Sequence, residues 1–600
     1  MRQSAISDYA FLSDCQGSAL VSRAGDIDWW CTPRFDSPSV FGRLLDRGAG
    51  HWSLTPVEPL DVRRRYVPGS MVLETTFRTR TGTAQVRDAL ALGRGSRSHT
   101  IGREVPHALV RSVVGLSGVV DVCTEIAPGF HYGHARADAV ETRAGVRFSA
   151  RSTTVELRSD APLSVDQGRA RGEFRVHAGQ YVTFSLGEPN HDHVAPRKSI
   201  IDDTVEGWQS WAQLHQRYDG YAAESVHRSA LVLHALTYQP AGSVVAAPTT
   251  SLPEIPRGHA NWDYRYAWLR DASLVLQALW VGACLDEADR YFAWLADVTS
   301  GDGGRVQVVY RVTGESELSE RTLPHLAGYE GSRPVRVGKD AAAQTQLDVP
   351  GEALDSAWRL REQLDLRDDR TRSLLVHMAE HAATHWTKPD SGIWEGRDGQ
   401  RHYLTSKLMC WVALDRAVRF GADLAGARDR DRWRNARDDI RRCILRDGWN
   451  GEIGAYAGAF GSTHLDAGVL LMPLVGFVEA GDPRMRSTIA AIDRHLATDG
   501  LVRRCSGADD EGAFVMCSYW LAQCFALAGE ARRATELFAR VTGHANDLGL
   551  LAEEIDPNTG RLLGNFPQAL SHATLISAAW TIDQMLRATG APAKAYSAAP

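Results

Sequence analysis

Through roughly the first 190 residues apolar and polar positions alternate with period two, and turn residues interrupt them about every ten positions. In SALVSRAGDIDWW, Gly25 and Asp26 separate two short apolar runs, the mark of a hairpin. MVLETTFRTRTGTAQVRDALAL repeats the device around Thr81 and Gly82, ALVRSVVGLSGVVDVCTEI around Ser117 and Gly118, and TVELRS and QYVTFSL follow. An antiparallel β-sandwich is expected. Asp202 to Tyr218, with Trp208 and Trp211 three apart, reads as a linking helix.

From Glu224 onward the period becomes helical, and twelve segments are expected: 224–238, 264–283, 286–299, 346–363, 368–388, 402–421, 429–446, 463–480, 482–498, 511–528, 530–543 and 571–590. Links after even-numbered segments are short, as at Leu285 to Asp286, at Asp482 and Pro483, and at Gly529. Links after odd-numbered segments are long: 239–263, 300–345, 389–401, 447–462, 499–510 and 544–570. If successive helices run antiparallel, the long links gather at one end, where function is expected. The fold class expected is α+β and multidomain, an N-terminal antiparallel β-sandwich followed by a C-terminal (α/α)6 barrel. Its divisions fall at 1–200 (sandwich), 201–222 (linker helix), 223–592 (barrel) and 593–600 (flexible tail).

Composition narrows the classes. Of 600 residues, 44% are hydrophobic and 23% charged, which excludes a disordered or fibrous chain. A net charge of -6 offers no general attraction for nucleic acid or anionic lipid, so neither partner is expected. The start MRQSAISDYAFLSDC carries no basic region and apolar run of an export signal, and the nine cysteines lack C-x-x-C spacing; a cytoplasmic protein is expected. Seventeen tryptophans supply flat faces that suit sugar rings as well as cores.

Three long links, or the helix starts they feed, concentrate polar and aromatic groups. In Asn261-Trp-Asp-Tyr-Arg-Tyr-Ala-Trp-Leu-Arg-Asp271, Trp268, Arg270 and Asp271 fall in the first turns of the second helix. An Arg–Asp pair there fits a structural ion pair, but with tryptophan beside it also supplies the donor, acceptor and flat face that vicinal hydroxyls need. In Ser391-Gly-Ile-Trp-Glu395-Gly-Arg, a Glu between apolar neighbours is expected to have its pKa raised by desolvation, as a general acid requires. Leu551-Ala-Glu553-Glu554-Ile-Asp-Pro-Asn-Thr-Gly560 brings a third acidic loop. Two carboxylates across an aromatic pocket are the minimum for glycoside hydrolysis.

WDYRYAWLRD, GIWEGRDGQRHYLTSKLMCWVALDRA and LLAEEIDPNTGRLLGNFPQALSHATLISAA resemble the signature blocks of glycoside hydrolase family 15, and GDIDWWCTPRFDSPSVFGRLLD resembles the N-terminal block of its bacterial members. The resemblance implies the sandwich-plus-barrel fold and an inverting, exo-acting hydrolase that releases β-glucose from an α-glucoside. It makes Glu395 the general acid and Glu553 the general base, with Tyr264 holding the nucleophilic water, Arg270 and Asp271 binding glucose hydroxyls, and Trp268 and Trp394 shaping the pocket. The family usually has glutamine after the base, where this chain has Glu554, so the match favours Glu553 without excluding its neighbour.

Within the family, DYAFLSDC, MVLETTFRTRTG and TTSLPEIPRGHANWDYRYAWLRD look closest to actinobacterial trehalases, which implies trehalose as the small-molecule substrate; hydrolysis of maltodextrin or isomalto-oligosaccharides is the alternative. Val349 and Pro350 depart from the family pattern in a region expected to contact the leaving group. A phosphorylase would need only one carboxylic acid, and a non-catalytic sensor would have lost one; both acids are present. Hydrolysis itself requires no cofactor, and the resemblance permits dependence on phosphate and Mg without locating either. His377, His381 and His385 recur every four residues but lack H-E-x-x-H, so they read as a polar helix surface and no metal site is expected.

Overall fold

The computed structural model describes residues 3–189, 197–215, 217–281, 286–301, 306–397, 399–508 and 510–590. The expected step at Leu285 and the expected tail at 593–600 lie outside them. In the N-terminal part Ser18–Ser22 pairs with Ile27–Cys31 around Gly25, and Leu73–Arg78 pairs with Gly82–Leu90, as the turn residues imply. The expected hairpin at Ser117 and Gly118 is instead a corner within one 19-residue strand, Leu109–Ala127. Its first half pairs with Gly82–Leu90 and Tyr181–Gly187, its second with His51–Pro56 and Arg169–His177. The strand thus passes from one sheet layer to the other. Gly118 at φ +62° makes the corner, and a Cβ there would stand 2.1 Å from the Thr81 carbonyl oxygen. A glycine that reverses a chain and one that bends a strand carry the same local signal. Between the layers Trp52 meets Phe184 edge-on at 6.1 Å, and the buried Arg111 pairs with Asp88 at 2.7 Å.

The helices follow as α1 (Arg197–His215), α2 (Ala223–Ala235), α3 (Leu269–Val281), α4 (Asp286–Gly301), α5 (Val349–Arg359), α6 (Asp369–His385), α7 (Leu404–Phe420), α8 (Ala427–Asp447), α9 (Leu471–Leu474), α10 (Pro483–His495), α11 (Val515–Leu527), α12 (Ala531–Thr542) and α13 (Ala569–Ala588). An inner ring runs α3, α5, α7, the 3-10 turn Ala467–Leu470 with α9, α11 and α13, closing back on α3. The sequence dictates the layer. In α11 every residue from Val515 to Ala526 is buried, whereas α12 buries one face through Ala534, Leu537, Phe538 and Val541. The segment expected as a helix at 463–480 is only a 3-10 turn, Ala467–Leu470, running into the four-residue α9. Pro473 removes a backbone donor there, and Gly476 at φ +75° ends the turn.

The sandwich and barrel share one core. Trp29 Nε1 donates to the Pro248 carbonyl at 2.8 Å. Arg265, fully buried, pairs with Asp263 at 2.7 Å and donates to the Ser37 carbonyl and the Tyr132 hydroxyl, both at 2.9 Å. The sandwich therefore anchors the link that feeds α3, on either side of Tyr264. No helix among the described residues is long and apolar enough to cross a membrane.

Candidate active site

Asn261–Asp263 pairs with Thr250–Pro253, and Ala267–Trp268 pairs with Val309–Tyr310. These strand pairs delay α3 to Leu269, five residues beyond the expected start, and leave Arg270 and Asp271 in its first turn. Arg270 donates from Nε to Asp271 Oδ1 at 3.0 Å and from Nη1 to the Ile393 carbonyl at 2.9 Å. Both side chains line the cavity yet are almost fully buried. Burial raises the Asp271 carboxyl, and Arg270 opposes the rise.

Glu395 sits at φ +57° in the link before α7, a left-handed conformation that costs a non-glycine residue about 1–2 kcal/mol. The loop holds it there: Glu395 N–H donates to the Gly392 carbonyl at 3.1 Å, and Gln344 Nε2 donates to the Glu395 carbonyl at 3.2 Å. Its Oε1 accepts from Trp268 Nε1 at 2.6 Å, its Oε2 lies 2.7 Å from Lys339 Nζ, and Arg270 Nη2 stands 3.9 Å from Oε1. This corrects the expected electrostatics. Burial does push the carboxyl up, but Lys339 and then Arg270 outweigh it and hold Glu395 below the usual range.

Glu553 and Glu554 precede and open the strand Glu554–Ile555, which pairs with Ala513–Phe514 and Leu562–Leu563. Successive side chains on extended backbone point to opposite sides. Glu553 lines the cavity against Gly564, where a Cβ would stand 2.5 Å from its Oε2. Glu554 turns away and accepts from Gly512 N–H at 3.0 Å. Burial first, then the charge of Glu254, raises the Glu553 carboxyl well above its ordinary value. The Tyr264 hydroxyl lies between the two acids and has one proton to share: it donates to Glu254 Oε1 at 3.3 Å and favours the charged form of Glu553.

Five of the six long links meet; no residue of the fourth, 447–462, lines the cavity. Arg270, Trp394, Glu395 and Glu553 border one cavity of about 350 Å³, with Tyr264 and Trp268 in its wall. Trp394 Nε1 donates to Asp466 Oδ1 at 2.9 Å and Oδ2 at 3.1 Å; burial raises Asp466 to about 6. Sequence reasoning missed Lys339, Asp466, Glu254 and Arg504. Arg504 Nη2 bridges Glu254 at 2.9 Å and Glu511 at 2.6 Å. Val349 and Pro350 are buried in the first turn of α5, outside the cavity wall, so their departure from the family pattern does not reach the site. His381 and His385 stack at 4.3 Å on α6. Among the described residues no group of three or more His, Cys, Asp or Glu is arranged to hold a metal.

The family profile described as "Glycosyl hydrolases family 15" matches residues 220–540 and 526–580, and one described as "Trehalase-like, N-terminal" matches residues 2–168. The chain is 40% identical over 607 residues to a protein named trehalase from Mycolicibacterium smegmatis, covering 96% of this chain and 90% of that one. It is 39% identical over 606 residues to a trehalase from Mycobacterium tuberculosis, covering 96% and 89%, and 31% identical over 590 residues to one from Thermoplasma volcanium, covering 96% and 93%. A bacterial glucoamylase complexed with acarbose superposes with a TM-score of 0.73 at 13% identity, covering 100% of this chain and 97% of that one, which shows the shared fold.

Proposed function

The chain belongs to glycosyl hydrolases family 15, and on that premise we propose that it hydrolyses α,α-trehalose to two glucose molecules in the cytoplasm, with inversion at the attacked carbon. The observation that carries this reading is similarity to proteins named trehalase across both parts of the chain, together with two carboxylic residues, Glu395 and Glu553, in one tryptophan-lined cavity. In the proposed reaction Glu395 gives its proton to the glycosidic oxygen as the C1–O bond breaks. Glu553 takes a proton from the water that attacks C1 from the opposite face. Tyr264, beside Glu553, would steady that water, while Arg270 and Asp271 would bind hydroxyls of the cleaved glucose between Trp268 and Trp394. The two proton transfers are carried by side chains. Incubation of the purified protein with trehalose, maltose, isomaltose and a maltodextrin tests the substrate. Trehalose should be cleaved with the highest kcat/KM; preferential cleavage of either other disaccharide or the maltodextrin would replace this reading with a glucoamylase-type one.

A further inference from the structure

Both oxygens of Glu395 are occupied by donors. Oε1 accepts from the Trp268 indole, and Oε2 meets the Lys339 ammonium. Neither an indole N–H nor an ammonium can accept a hydrogen bond; each oxygen keeps a second lone pair, but a proton placed there is opposed by the ammonium charge 2.7 Å from Oε2. Loosening the ammonium contact is therefore what favours the acid form. Trp268 is fully buried and belongs to a strand pair, whereas Lys339 is a long single side chain that follows Gly338 and faces the cavity. Its ammonium lies among the rings of Trp262, Tyr264 and Trp268 at 5.1, 5.3 and 5.3 Å, a cage that keeps a cation inside the pocket wherever its hydrogen bonds go.

We propose that Lys339 is the positioning residue of the acid: it holds Glu395 charged in the empty pocket and releases Oε2 when the leaving sugar offers hydroxyl oxygens in its place. Glu395 then takes a solvent proton on Oε2 and passes it to the glycosidic oxygen. Lys339 stays an ammonium throughout, so charge and protons balance. The inference rests on reading Glu395 as the acid. The other groups facing Glu395 do not replace Lys339. From α3 come Arg270, whose nearest nitrogen is 3.9 Å away and which is already bound to Asp271 and the Ile393 carbonyl, and Asp271 itself. From the start of α5 comes Asp348, whose carboxyl disfavours a second negative charge, and from the first link comes the neutral Tyr264 hydroxyl. Lys339 is the largest influence holding the carboxyl ionised.

Two substrates isolate this role. A glucosyl disaccharide needs both acid and base, whereas α-glucosyl fluoride loses a good leaving group and needs only the base. The ratio of their kcat/KM values therefore follows the protonated fraction of Glu395; losses in binding the cleaved glucose cancel, and a lost contact to the leaving sugar only lowers the ratio by a pH-independent factor. In the wild type this ratio should fall tenfold per pH unit above the Glu395 pKa. Lys339→Met removes an opposite charge in direct contact, which typically moves a carboxyl by roughly one to three units. At a fixed pH on the falling limb the disaccharide-to-fluoride ratio should rise by about 10- to 1,000-fold, while Lys339→Arg keeps the wild-type ratio within about threefold. A ratio that does not rise in Lys339→Met overturns the proposal. If that variant does not fold, Lys339→Gln carries the same expectation. Folded neutral variants inactive on the fluoride also overturn it, since the lysine would then serve more than the acid. A wild-type protein that cleaves neither substrate would instead sink the hydrolase reading itself.

Discussion

Replacing Glu553 with glutamine keeps the side chain's size and removes only its capacity to take a proton, so it separates base catalysis from packing. The side chain is fully buried against Gly564, where even a methyl group would stand 2.5 Å from Oε2, and an isosteric amide fits the same seat. A general base contributes about 10²–10⁴-fold, equivalent to about 2.7–5.4 kcal/mol of transition-state stabilisation. The loss should fall on kcat with KM little changed, because the water is deprotonated only on the way to the transition state. Glu554→Gln is the matched comparison. Its amide oxygen can still accept from Gly512 N–H, the bond now made at 3.0 Å, and its side chain faces away from the cavity. It should keep kcat within about threefold. Initial rates of glucose release from trehalose, with thermal melts to confirm folding, decide between them. An active Glu553→Gln beside an inactive Glu554→Gln would refute both the strand-alternation argument and the assignment of the base.

Three further outcomes are expected. Proton NMR at early times should show α- and β-glucose from trehalose in equal amounts, one from the leaving half and one from the inverted half; α-glucose alone would mean retention. Asp466→Ala should leave the partly buried Trp394 indole N–H without its acceptor at a cost of about 1–3 kcal/mol, and should lower kcat/KM by about tenfold as the pocket wall loosens, read from melts and initial rates. His572 is buried neutral, Nε2 accepting from Leu551 N–H at 3.2 Å and Nδ1 facing Ser229 Oγ at 2.9 Å, and burial, with help from Arg228, lowers its pKa to about 3. The unfolded chain therefore binds a proton the fold does not: this contribution to stability is whole above about 6.5 and is lost as pH falls toward 3, so His572→Gln should flatten the pH dependence of unfolding in that window, and an unchanged slope would exclude the assignment.

What could be read from the chain, and what could not, follows from the range of the interactions. Helix alternation is local, and because antiparallel helices put every second link at the same end, link lengths alone located the mouth of the barrel. The signature blocks brought Arg270, Glu395 and Glu553 into view because each lies within its own motif. The electrostatics around Glu395 did not show, since its neighbours Ile393 and Trp394 suggest an apolar seat while its cations arrive from Arg270 at the start of α3 and Lys339 on another link. Lys339 did leave a trace: it is one of five lysines in a chain with 67 basic residues, and it stands inside the longest link. Nothing in a single sequence pairs it with position 395. The missed corner at Gly118 and the shortened helix before Gly476 are local failures of another kind, where a glycine fits two backbone paths and tertiary packing selects one.

The charge inventory of the pocket wall ties these observations together. Glu254, Asp271, Glu395, Glu511 and Glu553 line the cavity, against the cations Arg270, Lys339, Arg397 and Arg504. Buried carboxyls in excess of their cations retain protons, since ionising them all would strand negative charge away from water. Glu254, Glu553 and the adjoining Glu554 share Arg504, and burial raises all three. Glu395 is lowered because Lys339 and Arg270 both serve it. Burial thus favours a proton on the wall of the base, while Lys339 and Arg270 favour an ionised acid, the reverse of what the proposed hydrolysis needs. A neutral sugar cannot change that balance by charge. It can do so by hydrogen bonding: hydroxyls that draw Lys339 from Oε2 raise Glu395, and a water positioned by Tyr264 gives an ionised Glu553 a donor. Substrate binding and the setting of both protonation states are then one event, and a ligand that fills the glucose site without reaching Lys339 would leave the acid ionised.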